Sequence, residues 1–243
     1  MIFKRKQLSL AIAALGCCLL LFAVGLSFGM KDRDNSGPLI EKRIHVIPPR
    51  YGHDPVRPET VAMAKDVLLK LPPKVYNMLQ EQGASVNLAP NIEDNWPDSG
   101  DGLKPGAPHM TMGEEGGRCY GRDIWLYEAE KIRGSKKLKP ARSVSKIRQA
   151  MYQIMGHCIN DSMGGLTKNP KLRELYDQDF NALPDDIKEN YSSEDETADQ
   201  SRDMTCSEII GVLLGGRPYS HQVNILENFP LTTAYYKKRL ELR

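Results

Sequence analysis

"AMYQIMGHCIND", Ala150 to Asp161, is the stretch from which the rest of the chain is read. Ser143 or Ser145 can cap a helix running through "KIRQAMYQIMGHCINDSM", and Gly164-Gly165 can close it. Residues four apart on a helix share a face, so Gln153 and His157 stand one above the other, with Ile154 next to the first. The stretch therefore aligns one amide and one imidazole, flanked by a branched apolar side chain.

Upstream, "PETVAMAKDVLLKLP" has a helical pattern. Pro58 and Glu59 open it, apolar residues recur at Val61, Ala64, Val67, Leu68 and Leu71, and Pro72 ends it. "PKVYNMLQEQG" reads as a short helix closed by Gly83, and "ASVNLAP" alternates like a strand. Residues 93–117 are dense in Gly, Pro, Asp and Asn and read as loop. "RCYGRDIWLYEA" reads as one buried strand in which Tyr120, Trp125 and Tyr127 pack, and "EKIRGSKKLKPAR" as a solvated basic loop. Downstream, "NPKLRELYDQDFNALP" is a helix with Asn169 as cap, Pro170 in the first turn and Pro184 as stop. "DDIKENYSSEDETADQSRD" reads as exposed and acidic, "CSEIIGVLLGG" as a short apolar helix, and "HQVNILENFPLTTAYYKKRLELR" holds the last helix. A strand-bearing part followed by packed helices is an α+β order.

The 243 residues suit one medium domain with an appendage. Lys4, Arg5 and Lys6 precede any acid, and the remaining 30 of the 33 basic residues face 31 acidic ones. A near-neutral body argues against a nucleic-acid partner, which needs a concentrated basic surface. Leu8 to Met30 runs apolar without a charge, long enough to span a bilayer, with its basic flank on the cytoplasmic side. Residues 1–30 are thus expected to be a membrane anchor, or a signal cleaved after Ser27-Phe28-Gly29, with the body outside the cytoplasm. Residues 31–55, broken by Pro38, Pro48, Pro49 and Pro55, read as a stalk with a short strand at "KRIHVI", and residues 56–243 as the folded domain.

Cys119, Cys158 and Cys206 allow one disulfide and one free thiol, and no pairing is preferred by sequence. His45, His53, His109 and His221 lack ligand spacing and read as surface residues. Glu208 interrupts an apolar run, so it either pairs with a polar group or faces solvent near its helix start. Asp161, one turn after His157, can orient the imidazole or simply end the helix in water.

A zinc hydrolase helix carries His-Glu-x-x-His: two imidazoles on one face grip Zn²⁺, and the glutamate polarises the attacking water. Here His157 stands in the second-histidine place, Gln153 in the first, and Ile154 in the glutamate place. "GHCINDSMGG", "YDQDFNALP", "CSEIIGVLLGG" and "ENFPLTTAYYKKRL", in that order, resemble the catalytic domain of the anthrax lethal factor-like zinc peptidases. "GRDIWLYE" is similar to the edge strand above their cleft. The resemblance implies a zincin-like fold, a small twisted sheet packed on a helical C-terminal half, and it implies Glu208 as third ligand. It also implies lost chemistry. Gln153 is a poor Zn²⁺ ligand and Ile154 is no base, while Val212 and Ser201 replace the family's later acid and tyrosine. Positioned acid–base groups supply about 10²–10⁴ in rate, so the expectation is an inactive, tethered or secreted domain that binds a peptide or protein without a cofactor. Two alternatives remain. One is a zinc protein using His157, Glu208 and Cys206 or Cys158; the other is a structural envelope domain of unrelated fold.

Overall fold

Short strands rich in buried aliphatic residues build the sheet, and the computed structural model describes residues 38, 42–104, 107–165, 168–192, 197–220 and 222–242, apart from the side chains of 107–109. The expected membrane segment, residues 1–30, most of 31–41, and His221 lie outside the described residues. Asn35–Arg243 forms one unit by its internal contacts. Among the described residues no helix is long and apolar enough to cross a membrane.

The order in the main sheet is β1 (Ile44–Val46), β2 (Val86–Ala89), β6 (Asp123–Tyr127), β5 (Gly117–Tyr120). β1 and β2 run parallel, as do β2 and β6, whereas β5 and β6 are antiparallel. The parallel β1–β2 pair needs a crossover, and α1 (Pro58–Leu69) and α2 (Pro73–Glu81) supply it. Alternation divides each strand between two faces. Val86, Leu88, Ile124 and Leu126 enter the main core beneath the helices, while Ala89, Trp125 and Tyr127 join a smaller cluster on the other face.

Several expectations are corrected. The short strand expected at "KRIHVI" is present as β1, and it belongs to the main sheet instead of standing apart. Residues 93–117 hold α3 (Ile92–Asn95), capped by Asn91, and a small sheet of β3 (Leu103–Lys104) and β4 (Ala107–Thr111). "RCYGRDIWLYEA" is a hairpin, not one strand, because Gly121 takes φ 61° in the two-residue turn between β5 and β6. Lys131 of the supposed solvated loop is buried, with its ammonium 2.8 Å from Glu93 and 2.7 Å from Asp101. His53 is no surface residue either: its ring meets the Asp94 carboxylate at 3.0 Å and the Lys136 carbonyl at 2.8 Å.

In the helical half, α4 (Val144–Ser162) is capped by Ser143 and α5 (Pro170–Ala182) by Asn169. α6 (Asp185–Lys188) follows within the stretch read as exposed. α7 (Ala198–Leu213) begins well before the apolar run, because Thr197 and Gln200 form a capping box. After α8 (Ile225–Asn228), α9 (Pro230–Arg239) closes the chain. Asp179, in the last turn of α5, accepts the Leu231 N–H, the Thr232 N–H and the Thr232 hydroxyl at 3.2, 2.8 and 2.8 Å. Asn169, at the other end of α5, donates to the Tyr235 hydroxyl. α5 and α9 therefore lie antiparallel.

Cys119 and Cys158 form a disulfide with Cα atoms 5.6 Å apart, tying β5 to α4, and Cys206 is the buried free thiol. Closing a loop of that length stabilises the fold by about 4 kcal/mol in the chain-entropy account.

Candidate functional site

Two glycines set the site. α4 and α7 form the most extensive helix pair of the fold, and they cross where Gly156 faces Gly211. A β-carbon on Gly156 would stand 2.1 Å from the Ser207 carbonyl oxygen, and one on Gly211 would stand 3.0 Å from the Tyr152 carbonyl oxygen. Backbones this close bring the side chains flanking the crossing into reach of one another.

Glu208, 4% exposed, accepts the Tyr219 N–H at 3.0 Å, and the Gln153 amide stands close enough to favour its ionised form. Burial pushes its carboxyl up to about 7, against the pull of those two donors. The loop after α7 lies along α4 at this level. The Gln149 side chain accepts the Arg217 N–H at 2.8 Å and donates to the Arg217 carbonyl, and Gly215 and Gly216 rest on Tyr152. The loop thereby carries Tyr219 to Glu208. Tyr219 is itself 40% exposed; the partial desolvation of its hydroxyl and the neighbouring Glu208 charge raise it above its ordinary value.

His157 is half-buried one turn further along α4. Burial first, then the positive charge of Lys104, push its imidazole down to about 4; Arg118 adds to this and Asp203 opposes it. Lys104 and Arg118 both lean on the buried Glu115, Lys104 at 3.6 Å and Arg118 through two bonds of 2.6 and 3.0 Å. No described side chain hydrogen-bonds to the His157 ring. His157 and Glu208, the two residues that the resemblance offers as metal ligands, make no hydrogen bond to one another; Glu208 stands level with Gln153. Asp161 is exposed and makes no bond to His157; partial desolvation of its carboxyl and the charge of Asp203 raise it above its ordinary value.

Ile154 is 7% exposed and packs against Gly117 of β5. Val212 packs against the main core, and the Ser201 carbonyl accepts from the Thr205 hydroxyl. Tyr219, Lys104, Arg118 and Asp203 were not legible as site residues. The only local signal was the turn "GGRPY", which places Tyr219 just after a chain reversal.

The donor set does not fit a tetrahedral zinc ion. Such a site needs three or four anionic or imidazole donors, and the face offers one imidazole, one neutral amide, and a carboxylate already held by two donors. Among the described residues no group of three or more His, Cys, Asp or Glu side chains converges to hold a metal. Cys158 is consumed by the disulfide, and Cys206 is fully buried with its thiol pushed up to about 12 by that burial. The expected alternative ligand set through Cys158 is therefore corrected. What the arrangement offers is a half-buried polar strip of donors and acceptors beside a sheet edge.

No protein-family profile and no curated protein matches the chain. Among solved structures it aligns with the Pro-Pro endopeptidase PPEP-2 from Paenibacillus alvei, at 14% identity and a TM-score of 0.48, over 83% of this chain and 99% of that one. A likeness this loose transfers no residue role to the present chain.

Proposed function

We propose that this chain is a non-cleaving domain, built like a zinc peptidase but without its chemistry, that binds a peptide or protein partner along the face of α4. The observation that carries this reading is the use made of the two chemical places. Ile154 is spent on core packing under β5, and Glu208 is held by Gln153 and Tyr219. β5 ends the sheet, with no described strand on its outer side. Its free backbone groups can take up an extended peptide by strand addition. The apolar run from Leu8 to Met30 and the Cys119–Cys158 disulfide support a tethered or secreted body in an oxidising compartment outside the cytoplasm. The near-neutral body supports a protein rather than a nucleic-acid partner.

The test is zinc content and peptide cleavage by the purified unit Asn35–Arg243, with His157→Ala alongside. The expected outcome is zinc far below one ion per chain in both proteins and no cleavage of a mixed peptide library. Stoichiometric zinc that disappears in His157→Ala would sink the reading.

A further inference from the structure

The antiparallel α5–α9 pair leaves a surface groove of about 710 Å³ that belongs to none of the chemistry above. This volume lies within the range of small-ligand sites, about 300–1,000 Å³. Leu175, Leu231, Ala234 and Tyr235 supply its apolar lining. Leu231, Ala234, Tyr235 and Lys238 follow one another at helical spacing, so one stripe of α9 runs from apolar to cationic over roughly 10 Å. Lys171 and Leu175 do the same on α5, in the opposite chain direction. Because the helices are antiparallel, both stripes turn cationic at the same end. Lys74 from α2 and Arg239 join them there, with one acid, Glu241, against four cations. Leu231, at the other end, is 42% exposed.

The charges at the cationic end are weakly spent. Lys74 meets Glu241 only at 3.9 Å and Lys171 meets Glu174 at 3.0 Å, both at exposed positions. Lys238 and Arg239 make no ion pair among the described residues. Part of this charge suits the C-terminal end of α9 by itself. That effect does not explain Lys171 at the start of α5, where a cation is unfavourable, nor Lys74 on a third helix. Nor does it explain why an apolar trough leads away from all four.

We infer that the α5–α9 groove binds a single-chain anionic amphiphile, a carboxylate or phosphate head on a linear alkyl tail. The head lies among Lys74, Lys171, Lys238 and Arg239, and the tail lies over Leu175, Ala234, Tyr235 and Leu231. A concave trough with charge at one end suits a free amphiphile better than a flat bilayer. Desolvating the tail drives binding, and the cations set its direction.

The test is photolabelling of the full chain in phosphatidylcholine nanodiscs with a diazirine analogue of decanoate, the label being mapped by mass spectrometry. Saturable labelling of α5 and α9 is expected, competed by decanoate and at least tenfold less by decyltrimethylammonium. Lys238→Glu with Arg239→Glu should reduce it at least tenfold, and so should Leu231→Asp. Lys146→Glu, an exposed charge change elsewhere, should leave it unchanged. Label scattered over the chain, equal competition by the cationic amphiphile, or indifference to the groove variants would overturn the inference. Labelling that appears only with phosphatidylglycerol in the disc would assign the groove to a bilayer surface and overturn it as well.

Discussion

Glu93 and Glu208 are both buried glutamates, and the protein treats them in opposite ways. Glu93, on α3, is fully buried and meets two ammonium groups, Lys131 at 2.8 Å and Lys136 at 3.2 Å. Its second oxygen has no hydrogen-bond partner, so the lysines carry the compensation. Burial pulls Lys131 down, but Asp101 and Glu93 hold it charged, above its ordinary value. Glu208 has only neutral donors, and its carboxyl rises to about 7. A buried charge kept by a counter-charge is a clamp joining two loops. A buried carboxyl kept by an amide and a backbone N–H is a group that can change its proton near neutral pH, which is the pattern of binding and catalytic sites.

The sharpest way to break this contrast is Lys131→Met. Removing the cation leaves Glu93 charged and buried, and the expected loss is about 3–5 kcal/mol in urea unfolding. A loss under about 1 kcal/mol would mean that Lys136 and water suffice, and that the Glu93 region is no clamp. The next test is pH. Between its ordinary 4.5 and its folded value of about 7, Glu208 is ionised in the unfolded chain and protonated in the fold. Its contribution to stability therefore falls as pH rises through that window, by roughly 3 kcal/mol in total. His157 acts in reverse. Its folded value of about 4 lies below the ordinary 6.5, so its contribution grows as pH rises from about 4 to 6.5. The two slopes oppose one another where they overlap. Glu208→Gln should leave a stability that only climbs with pH there, and His157→Gln one that only falls. Parallel curves for the two variants would refute the assignment. The smallest expected effect is that of Gln153→Leu, about 1–2 kcal/mol, since the Tyr219 N–H remains and the carboxyl can protonate. An NMR titration should show Glu208 moving further up in that variant; a downward shift would deny Gln153 its part in holding the carboxylate.

Some features of this protein were legible residue by residue. Pro58, Pro72, Ser143, Asn169, Pro170 and Pro184 mark helix ends because capping and proline geometry act within one turn. The hairpin at Gly121 was missed because its glycine sits inside an aromatic run, and α3 because Asp94 was read as a loop former, not as the partner of Asn91 in a reciprocal cap. In the candidate site, that Gln153 and His157 share one face of α4, with Ile154 beside them, could be read from the stretch itself.

The sequence by itself determined where α1, α4 and α5 begin and end, the α+β order, and which residue types stand on the Gln153–His157 face, since these depend on neighbours within a few positions. Only the tertiary structure decided that Glu208 accepts the Tyr219 N–H and stands beside Gln153, that Cys119 takes Cys158, that Lys131 is buried, and that four cations gather at one end of the α5–α9 groove. Those outcomes depend on how closely Gly156 and Gly211 let two helices approach and on which way two others run. Such distances are set by packing between segments remote in the chain, which no local pattern encodes.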